Sequence, residues 1–278
     1  MKLTNEHGAP PSIVEAIRND PYTKDGADFS VTELIKPPQI RRLWNEHEDK
    51  VSVDVREEIW KLLGKGVHAV LEQQAGEVGI KEQRLHATYG DVSISGAIDL
   101  VEDGAVTDYK VTSTYAVMRG LKEDWERQLN LYAWLLRENG TTPTSLSIVA
   151  ICRDWMRSRL PRHDYPKSPV VVMPVPMWSD NRQARYVEER VRVHTREGTI
   201  PCTPEERWAR SAFSVIGGKG RPKSFDTMSE ATAYLNEQTF GKTSSVAGVL
   251  KIVENTDVKY IRCEDWCEVA EFCPQWRG

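Results

Sequence analysis

Asp99 and the run Asp108-Tyr109-Lys110 lie nine residues apart on what reads as one β-hairpin. Residues 92–101 alternate in strand fashion and are rich in β-branched side chains. Glu102-Asp103-Gly104 reads as the turn, and residues 105–112 as the returning strand. Strand side chains alternate faces, so Asp108 and Lys110 project on the same side. Acids so placed hold a hard divalent cation through oxygen. Such a cation polarises a phosphate and lowers the pKa of a bound water. The lysine orients that water or offsets developing negative charge. The chemistry this suits is phosphodiester hydrolysis. An acid-x-Lys pair alone is a weak signal, because exposed strands carry such pairs as solvated charge. Its neighbours give it weight.

Upstream, Gly64-Lys65-Gly66-Val67-His68 falls in a segment of helical periodicity. Ile59, Leu62, Leu63, Val67, Val70 and Leu71 form its apolar stripe. Each interior glycine costs a helix about 1 kcal/mol relative to Ala. That cost implies close approach of something to the backbone, or tight helix packing. His68 is either a buried histidine bonded to a carbonyl or a metal ligand. Downstream, residues 121–138 read as an amphipathic helix with Trp125, Leu129, Ala133 and Leu136 as its core stripe. Gln128 and Tyr132 sit at i and i+4, so their side chains meet. They either dock the helix or reach the site.

The order Gly64-x3-His68, Gly96-x-Ile98-Asp99, Asp108-x-Lys110 and Gln128-x3-Tyr132 resembles the RecB-like branch of the PD-(D/E)XK nuclease superfamily, over about residues 30–160. The resemblance implies an α/β fold whose central mixed sheet is flanked by helices, a restriction-endonuclease-like core. It implies Mg²⁺ or Mn²⁺ held by His68, Asp99 and Asp108, with the Tyr109 carbonyl expected as a further ligand. Lys110 is then the catalytic lysine, and the helix of Gln128 and Tyr132 lines the site. Glu82 stands one strand earlier, where it could approach the metal; a solvent-facing position is the reading adopted.

The five cysteines carry a separate signal. Cys263, Cys267 and Cys273 form C-x3-C-x5-C, and Cys202 lies upstream. Clustered cysteines in a cytosolic chain more often bind metal than form disulfides. Four thiolates fit tetrahedral zinc or an iron–sulfur cluster, and spacing does not choose between them. Iron–sulfur members of the RecB-like branch, including AddB-type and CRISPR-adaptation nucleases, carry one cysteine before and three after the structure the cluster clasps, and in many the single cysteine precedes the nuclease motifs. Here Cys202 follows all of those motifs. The chain is similar instead to a phage-encoded subgroup, through residues 201–208 and 262–275. That resemblance implies a [4Fe–4S] cluster on Cys202, Cys263, Cys267 and Cys273, with structural Zn²⁺ as the alternative. Cys152, in an apolar strand at 145–152, reads as a core residue.

With 278 residues, 40% hydrophobic and 28% charged, the composition is that of an ordinary globular protein. No run approaches a transmembrane length, and residues 1–7 lack an apolar signal-peptide segment. A cytoplasmic location is expected, in the bacterial host if the chain is phage-encoded. The net charge of −4 does not advertise nucleic-acid binding. Residues 151–200, with ten Lys or Arg against six Asp or Glu, offer a basic stretch through Arg153, Arg157, Arg159 and Arg162. Of the nine tryptophans most are expected in the core, with exposed ones available to stack on bases.

The organisation expected is an extended segment over 1–29, a nuclease core over 30–199 and a four-cysteine module over 200–278. Ser30 and Glu33 read as a capping box for a short helix that Pro37-Pro38 breaks. Helices are expected near 53–74, 180–196 and 227–238, the last capped by Thr227 and Glu230. Strands are expected at 79–112 and 170–177, with a hairpin over 213–225 around Gly217-Gly218-Lys219-Gly220. The function expected is a metal-dependent DNA exonuclease acting at single- or double-stranded DNA ends in phage recombination, replication or DNA degradation. A recombination or replication protein is its expected partner. The alternatives are end trimming for CRISPR adaptation and a non-catalytic DNA-binding iron–sulfur protein.

Overall fold

The computed structural model of the chain describes residues 1–21, 23–74, 80–198, 200–217, 222–239 and 250–277, without the side chains of residues 74 and 80–83. The turn expected at 218–220 and the side chain of Glu82 therefore lie outside the described residues. The chain forms two compact units. One comprises Met1–Lys36 with Ser52–Glu197, the other Pro37–Val51 with Gly198–Gly278.

The first unit begins with β1 (Lys2–Thr4), α1 (Pro11–Arg18), β2 (Phe29–Ser30) and α2 (Val31–Ile35). A strand and a helix thus occupy part of the segment expected to be extended. Pro10 and Pro11 explain α1, because proline is tolerated at a helix start where the N–H needs no partner. Ser30 caps α2: its hydroxyl accepts from Glu33 N, while the Glu33 carboxylate accepts from Ser30 N at 2.8 Å. Pro37-Pro38 ends this helix as expected, and Pro38 also opens α3 (Pro38–His47), which the sequence reading did not anticipate and which belongs to the second unit.

β3 (Ser52–Asp54) pairs in parallel with β1 and leads into α4 (Val55–Gln74). Then follow β4 (Ile80–Tyr89), β5 (Val92–Glu102), β6 (Ala105–Thr112), α5 (Thr114–Met118), α6 (Glu123–Glu138), β7 (Ser145–Cys152), β8 (Val170–Val175) and α7 (Asp180–Thr195). The six-stranded sheet runs β2-β5-β6-β7-β8, with β4 on the other edge of β5. It is mixed, as expected: β4–β5, β5–β6 and β7–β8 are antiparallel, whereas β2–β5 and β6–β7 are parallel. The parallel β6–β7 pair requires a crossover, which α5 and α6 supply.

α6 is the centre of this unit. Every residue from Gln128 to Leu136 is buried, well beyond the stripe expected from periodicity. A helix apolar on most sides must be covered on most sides. Here the sheet lies on one side, and α2 and α7 on the other. Its buried Asn130 is fully engaged. It donates to the Glu126 and Pro176 carbonyls and accepts from Trp178 N and Gln183 Nε2. Cys152 is buried, in agreement with its reading as a core residue.

One expectation about α4 is overturned, that of a close approach at its glycines. Its apolar stripe lies outside the core: Leu63 and Val70 are exposed, as is Trp60 beside them, and the stripe lines an open apolar cleft. The helix packs on α1, β3 and β6 instead. Nor do Gly64 and Gly66 admit a neighbour, since a Cβ at either would meet nothing within 4 Å. The tryptophans also differ from expectation: Trp125, Trp134 and Trp178 are buried, but Trp60, Trp208, Trp266 and Trp276 are exposed.

The second unit contains α3, β9 (Ala209–Arg210), β10 (Phe213–Ile216), β11 (Lys223–Phe225), α8 (Met228–Thr239), β12 (Lys251–Glu254), β13 (Lys259–Tyr260) and α9 (Pro274–Arg277). β10 pairs antiparallel with β11, as the expected hairpin requires, and with β12. Thr227 and Glu230 cap α8 reciprocally. A small core gathers Phe213, Val215 and Ala231 against Tyr234, Leu235 and Ile252. Among the described residues no helix is long and apolar enough to cross a membrane.

Ser30 both closes the parallel β2–β5 pairing and caps α2. Ser30→Ala removes one half of the reciprocal cap and is expected to cost about 1 kcal/mol. A shifted midpoint at unchanged slope in denaturant unfolding would report it, and an unshifted midpoint would show that the cap is dispensable.

Candidate active site

β5 changes partner along one edge. Its C-terminal residues Leu100, Val101 and Glu102 pair with β6, and its N-terminal residues Ile94 and Ser95 pair with β2. Between them, among the described residues, the edge over residues 96–99 has no strand beside it. The β5–β6 ladder stops one pair short of the point where Asp99 would face Asp108. There the Asp99 side chain replaces the missing ladder bond: its Oδ2 accepts from Tyr109 N at 2.8 Å. A buried backbone N–H must find some acceptor, and at this fork the acceptor is a carboxylate.

The fork brings the sequence-identified residues together. His68, on α4, lies with Nδ1 3.2 Å from Asp99 Oδ1. Lys110 Nζ lies 2.7 Å from Asp108 Oδ2, as expected for side chains two residues apart on one strand face. Gln128 Nε2 donates to Tyr132 OH at 2.8 Å and reaches Asp108 Oδ1 at 3.3 Å. The i, i+4 pair therefore meets, and its amide touches an acid of the hairpin. Tyr109 turns its ring edge-on to His68, with centroids 6.4 Å apart.

Gly96 explains itself only in three dimensions. A Cβ there would stand 2.7 Å from Leu135 Cδ1 and 2.9 Å from Tyr132 Cε1. The absence of a side chain lets α6 press on β5, which seats Tyr132 and hence Gln128. The sequence shows a glycine before Ile98-Asp99, but not what it makes room for.

The electrostatics centre on Asp108, which is 2% exposed. Burial pushes its carboxyl up to about 6; the Lys110 ammonium pulls down and the Asp99 charge pushes up. Among the described residues its Oδ2 has no partner in hydrogen-bonding geometry, although the Lys110 ammonium is at ion-pair distance. His68 is raised above the ordinary imidazole value, first by its hydrogen bond to Asp99, with burial opposing.

Among the described residues no three His, Cys, Asp or Glu side chains converge closely enough to ligate one metal ion as they stand. The donor set nevertheless suits a hard cation. Asp108 offers a buried carboxylate oxygen lacking a hydrogen bond, and Asp99 and His68 lie beside it. A divalent ion relieves the charge that burial makes costly.

In the second unit, Cys202, Cys263, Cys267 and Cys273 all line one cavity, together with Gln39 and Leu43 of α3. Its free volume is about 20 Å³. Gln275 clamps the Cys202 backbone from both sides, accepting from its N–H and donating to its carbonyl at 2.9 Å each. Arg207 Nε donates to Cys263 Sγ at 3.5 Å. Burial, then the charges of Glu206 and the other three cysteines, pushes the Cys202 thiol up to about 12. The four are free thiols.

The family model of the PD-(D/E)XK nuclease superfamily matches residues 39–274 of the chain. Among solved structures, SSO0001 matches with a TM-score of 0.48 at 16% identity, over 70% of this chain and 88% of that one. A chain from Eubacterium rectale, described as "Putative exonuclease", matches with a TM-score of 0.32 at 11% identity, over 65% of this chain and 66% of that one. No curated protein matches significantly.

A carboxyl whose folded pKa lies above its unfolded value favours the folded state at acid pH. In the metal-free protein the Asp108 contribution therefore falls as pH rises from near 3.8 through about 6. The raised His68 acts in the same direction: its pairing with Asp99 stabilises below the unfolded imidazole pKa and is lost as pH rises through the folded one. Asp108→Asn removes the buried charge. Metal-free Asp108→Asn is expected to melt above the parent at neutral and alkaline pH, with the gain shrinking as pH falls through about 6. A difference independent of pH in thermal melts would contradict the assigned cause.

Proposed function

The chain belongs to the PD-(D/E)XK nuclease superfamily, and from that premise we propose that it is a metal-dependent DNA exonuclease of the RecB-like branch, hydrolysing phosphodiester bonds at DNA ends. The observation that carries the reading is the meeting of His68, Asp99, Asp108, Lys110 and Gln128 at the β5–β6 fork. Action at ends, and a role in phage recombination, replication or DNA degradation, draw support from the order and spacing of the sequence motifs.

In this reading His68, Asp99, Asp108 and the Tyr109 carbonyl would hold Mg²⁺ or Mn²⁺, which polarises the scissile phosphate and acidifies a bound water. The chain's own residues do the rest. Lys110 holds the water for attack and offsets charge as the phosphate gains it. Gln128 keeps Asp108 in place through its amide, and Tyr132 fixes that amide. Gln128 and Tyr132 thus position the site without contacting the metal.

We assign the four cysteines of the second unit a structural [4Fe–4S] cluster. Support comes from the C-x3-C-x5-C-P-Q pattern and from the shared cavity of the four thiols. The charges of the other three cysteines push up the Cys202 thiol, and a metal that takes the four as thiolates relieves that crowding. One observation favours zinc instead: a space of about 20 Å³ is roughly that of one water.

Incubation of the purified protein with end-labelled single- and double-stranded DNA and with closed circles, with and without Mg²⁺ or Mn²⁺, tests the activity. Loss of label from linear DNA only, and only with metal, is expected. Asp99→Ala, Asp108→Ala and Lys110→Ala should each lower the rate by several factors of ten, each factor being about 1.4 kcal/mol of barrier. Gln128→Ala should reduce turnover more than stability. Wild-type rates in Asp108→Ala would remove the site assignment, cleavage of circles would indicate an endonuclease, and binding without cleavage a DNA-binding protein.

For the second unit, anaerobically purified protein is expected to be brown, with sulfur-to-iron charge transfer absorbing near ~400 nm. Cys267→Ser should lower soluble yield and destabilise the unit. A colourless preparation holding one zinc and no iron would replace the cluster with zinc and leave the nuclease reading intact.

A further inference from the structure

Two cations outside the acid cluster stand at the end of the sheet where Lys110 lies. β6 and β7 are parallel, with Thr112 in register with Cys152, so both strands finish at the same edge. Arg153 follows directly, and its N–H donates to the Thr112 carbonyl at 2.9 Å. Asp154, next in sequence, grips the start of α5 through Thr114 N and Thr114 Oγ1. The backbone that carries Arg153 is therefore tied to β6 two residues beyond Lys110. Its guanidinium lies over the exposed ring of Trp60 on α4, 4.4 Å from the centroid. That stacking gives the long side chain a defined direction.

Lys122 comes from a third element. It is the N-cap residue of α6, the helix of Gln128 and Tyr132, and its ammonium lies 4.8 Å from the centre of the buried Trp125 ring. The charges of Arg153 and Lys110 both bear on Lys122: after desolvation they depress its pKa, against the pull of Asp124. Both Lys122 and Arg153 are exposed. Lys122 thus stands within electrostatic reach of both Arg153 and Lys110, with Asp124 the acid beside it. In open α/β sheets, ligands bind outside the carboxyl ends of the parallel strands, which is where these cations converge.

We propose that Lys122 and Arg153 form a subsite for a backbone phosphate of the nucleic-acid strand, neighbouring the scissile phosphate at Lys110, with Trp60 holding Arg153 in position. The inference rests on the reading of the chain as a nuclease and adds to it where the strand is gripped. It also resolves the acidity of the chain: a net charge of −4 coexists with a local cationic track beside the site. The fork carries the acids, and the strand ends carry the cations. The two sit on one sheet, so a phosphate backbone crossing from one to the other passes Lys110.

Binding of end-labelled DNA in EDTA, where hydrolysis cannot proceed, gives a readout independent of turnover. Lys122→Ala and Arg153→Ala are each expected to weaken binding several-fold and to lower the slope of log affinity against log salt by about 1. With metal, KM should rise more than kcat falls. Lys122→Arg should restore both quantities, as should Trp60→Phe relative to Trp60→Ala. Arg185→Ala, an exposed arginine on α7, reports the effect of surface charge alone. If wild type cleaves DNA but Lys122→Ala and Arg153→Ala keep its affinity and salt slope, or change no more than Arg185→Ala, the subsite is overturned and the nuclease reading stands. If wild type neither binds nor cleaves any of the DNAs, the nuclease reading itself fails and the subsite fails with it.

Discussion

Burial of the Asp108 carboxylate sets the terms for the rest of the first unit. A charge with 2% of its surface exposed is unfavourable unless its surroundings answer it. Three elements do so: β6 itself through Lys110, α6 through Gln128, and α4 through the charge of His68. Each answer is partial. Lys110 reaches Oδ2 without a hydrogen-bonding angle, and the Gln128 amide stands at 3.3 Å from Oδ1. The carboxyl is consequently pushed up to about 6.

The same demand explains the architecture around it. Regular pairing of Asp99 opposite Asp108 would give Tyr109 N a backbone acceptor and leave the Asp99 carboxylate no structural task. Ending the ladder at Leu100–Thr107 opens the space, and the carboxylate takes over the bond. α6 must come close enough for Gln128 to touch Asp108, and Gly96 permits that approach. Burial of α6 from Gln128 to Leu136 then holds the helix in place, so the position of one amide depends on the whole core. Packing of the core thereby fixes where the Gln128 amide stands relative to Asp108.

The second unit solves a different problem. Its apolar core is small, and its cysteine loops contain short helical turns at Arg262–Trp266 and Ala270–Phe272 in place of long elements. Local contacts hold these loops. Gln275 brackets the Cys202 backbone, Arg262 donates to the Glu206 carbonyl, and His47 of α3 stacks on Phe272 with centroids 4.4 Å apart. α3 is far from the cysteines in sequence but lines the same cavity. The unit is therefore discontinuous, and its N-terminal contribution carries no cysteine to mark it.

Local chemistry made much of this protein legible from its residues. The hairpin of Asp99 and Asp108, the shared face of Asp108 and Lys110, the Gln128–Tyr132 pair, the Ser30–Glu33 cap and the buried Cys152 all follow from strand and helix periodicity, because each involves neighbours a few residues apart or a simple apolar run. What periodicity could not supply is which faces find partners. The α4 stripe has the pattern of a core helix, yet it faces an open cleft while its His68 side meets the sheet. Gly96 looks like any strand glycine until α6 arrives over it. Lys122 and Arg153, 31 residues apart, come to act on one another only because a crossover returns β7 beside β6. The sequence by itself determined the residue types, their local spacing and hence the chemistry on offer. The tertiary structure decided the fork that gathers the acids, the helix that seats Gln128 and the discontinuous second unit, since these depend on contacts between distant segments that no local pattern encodes.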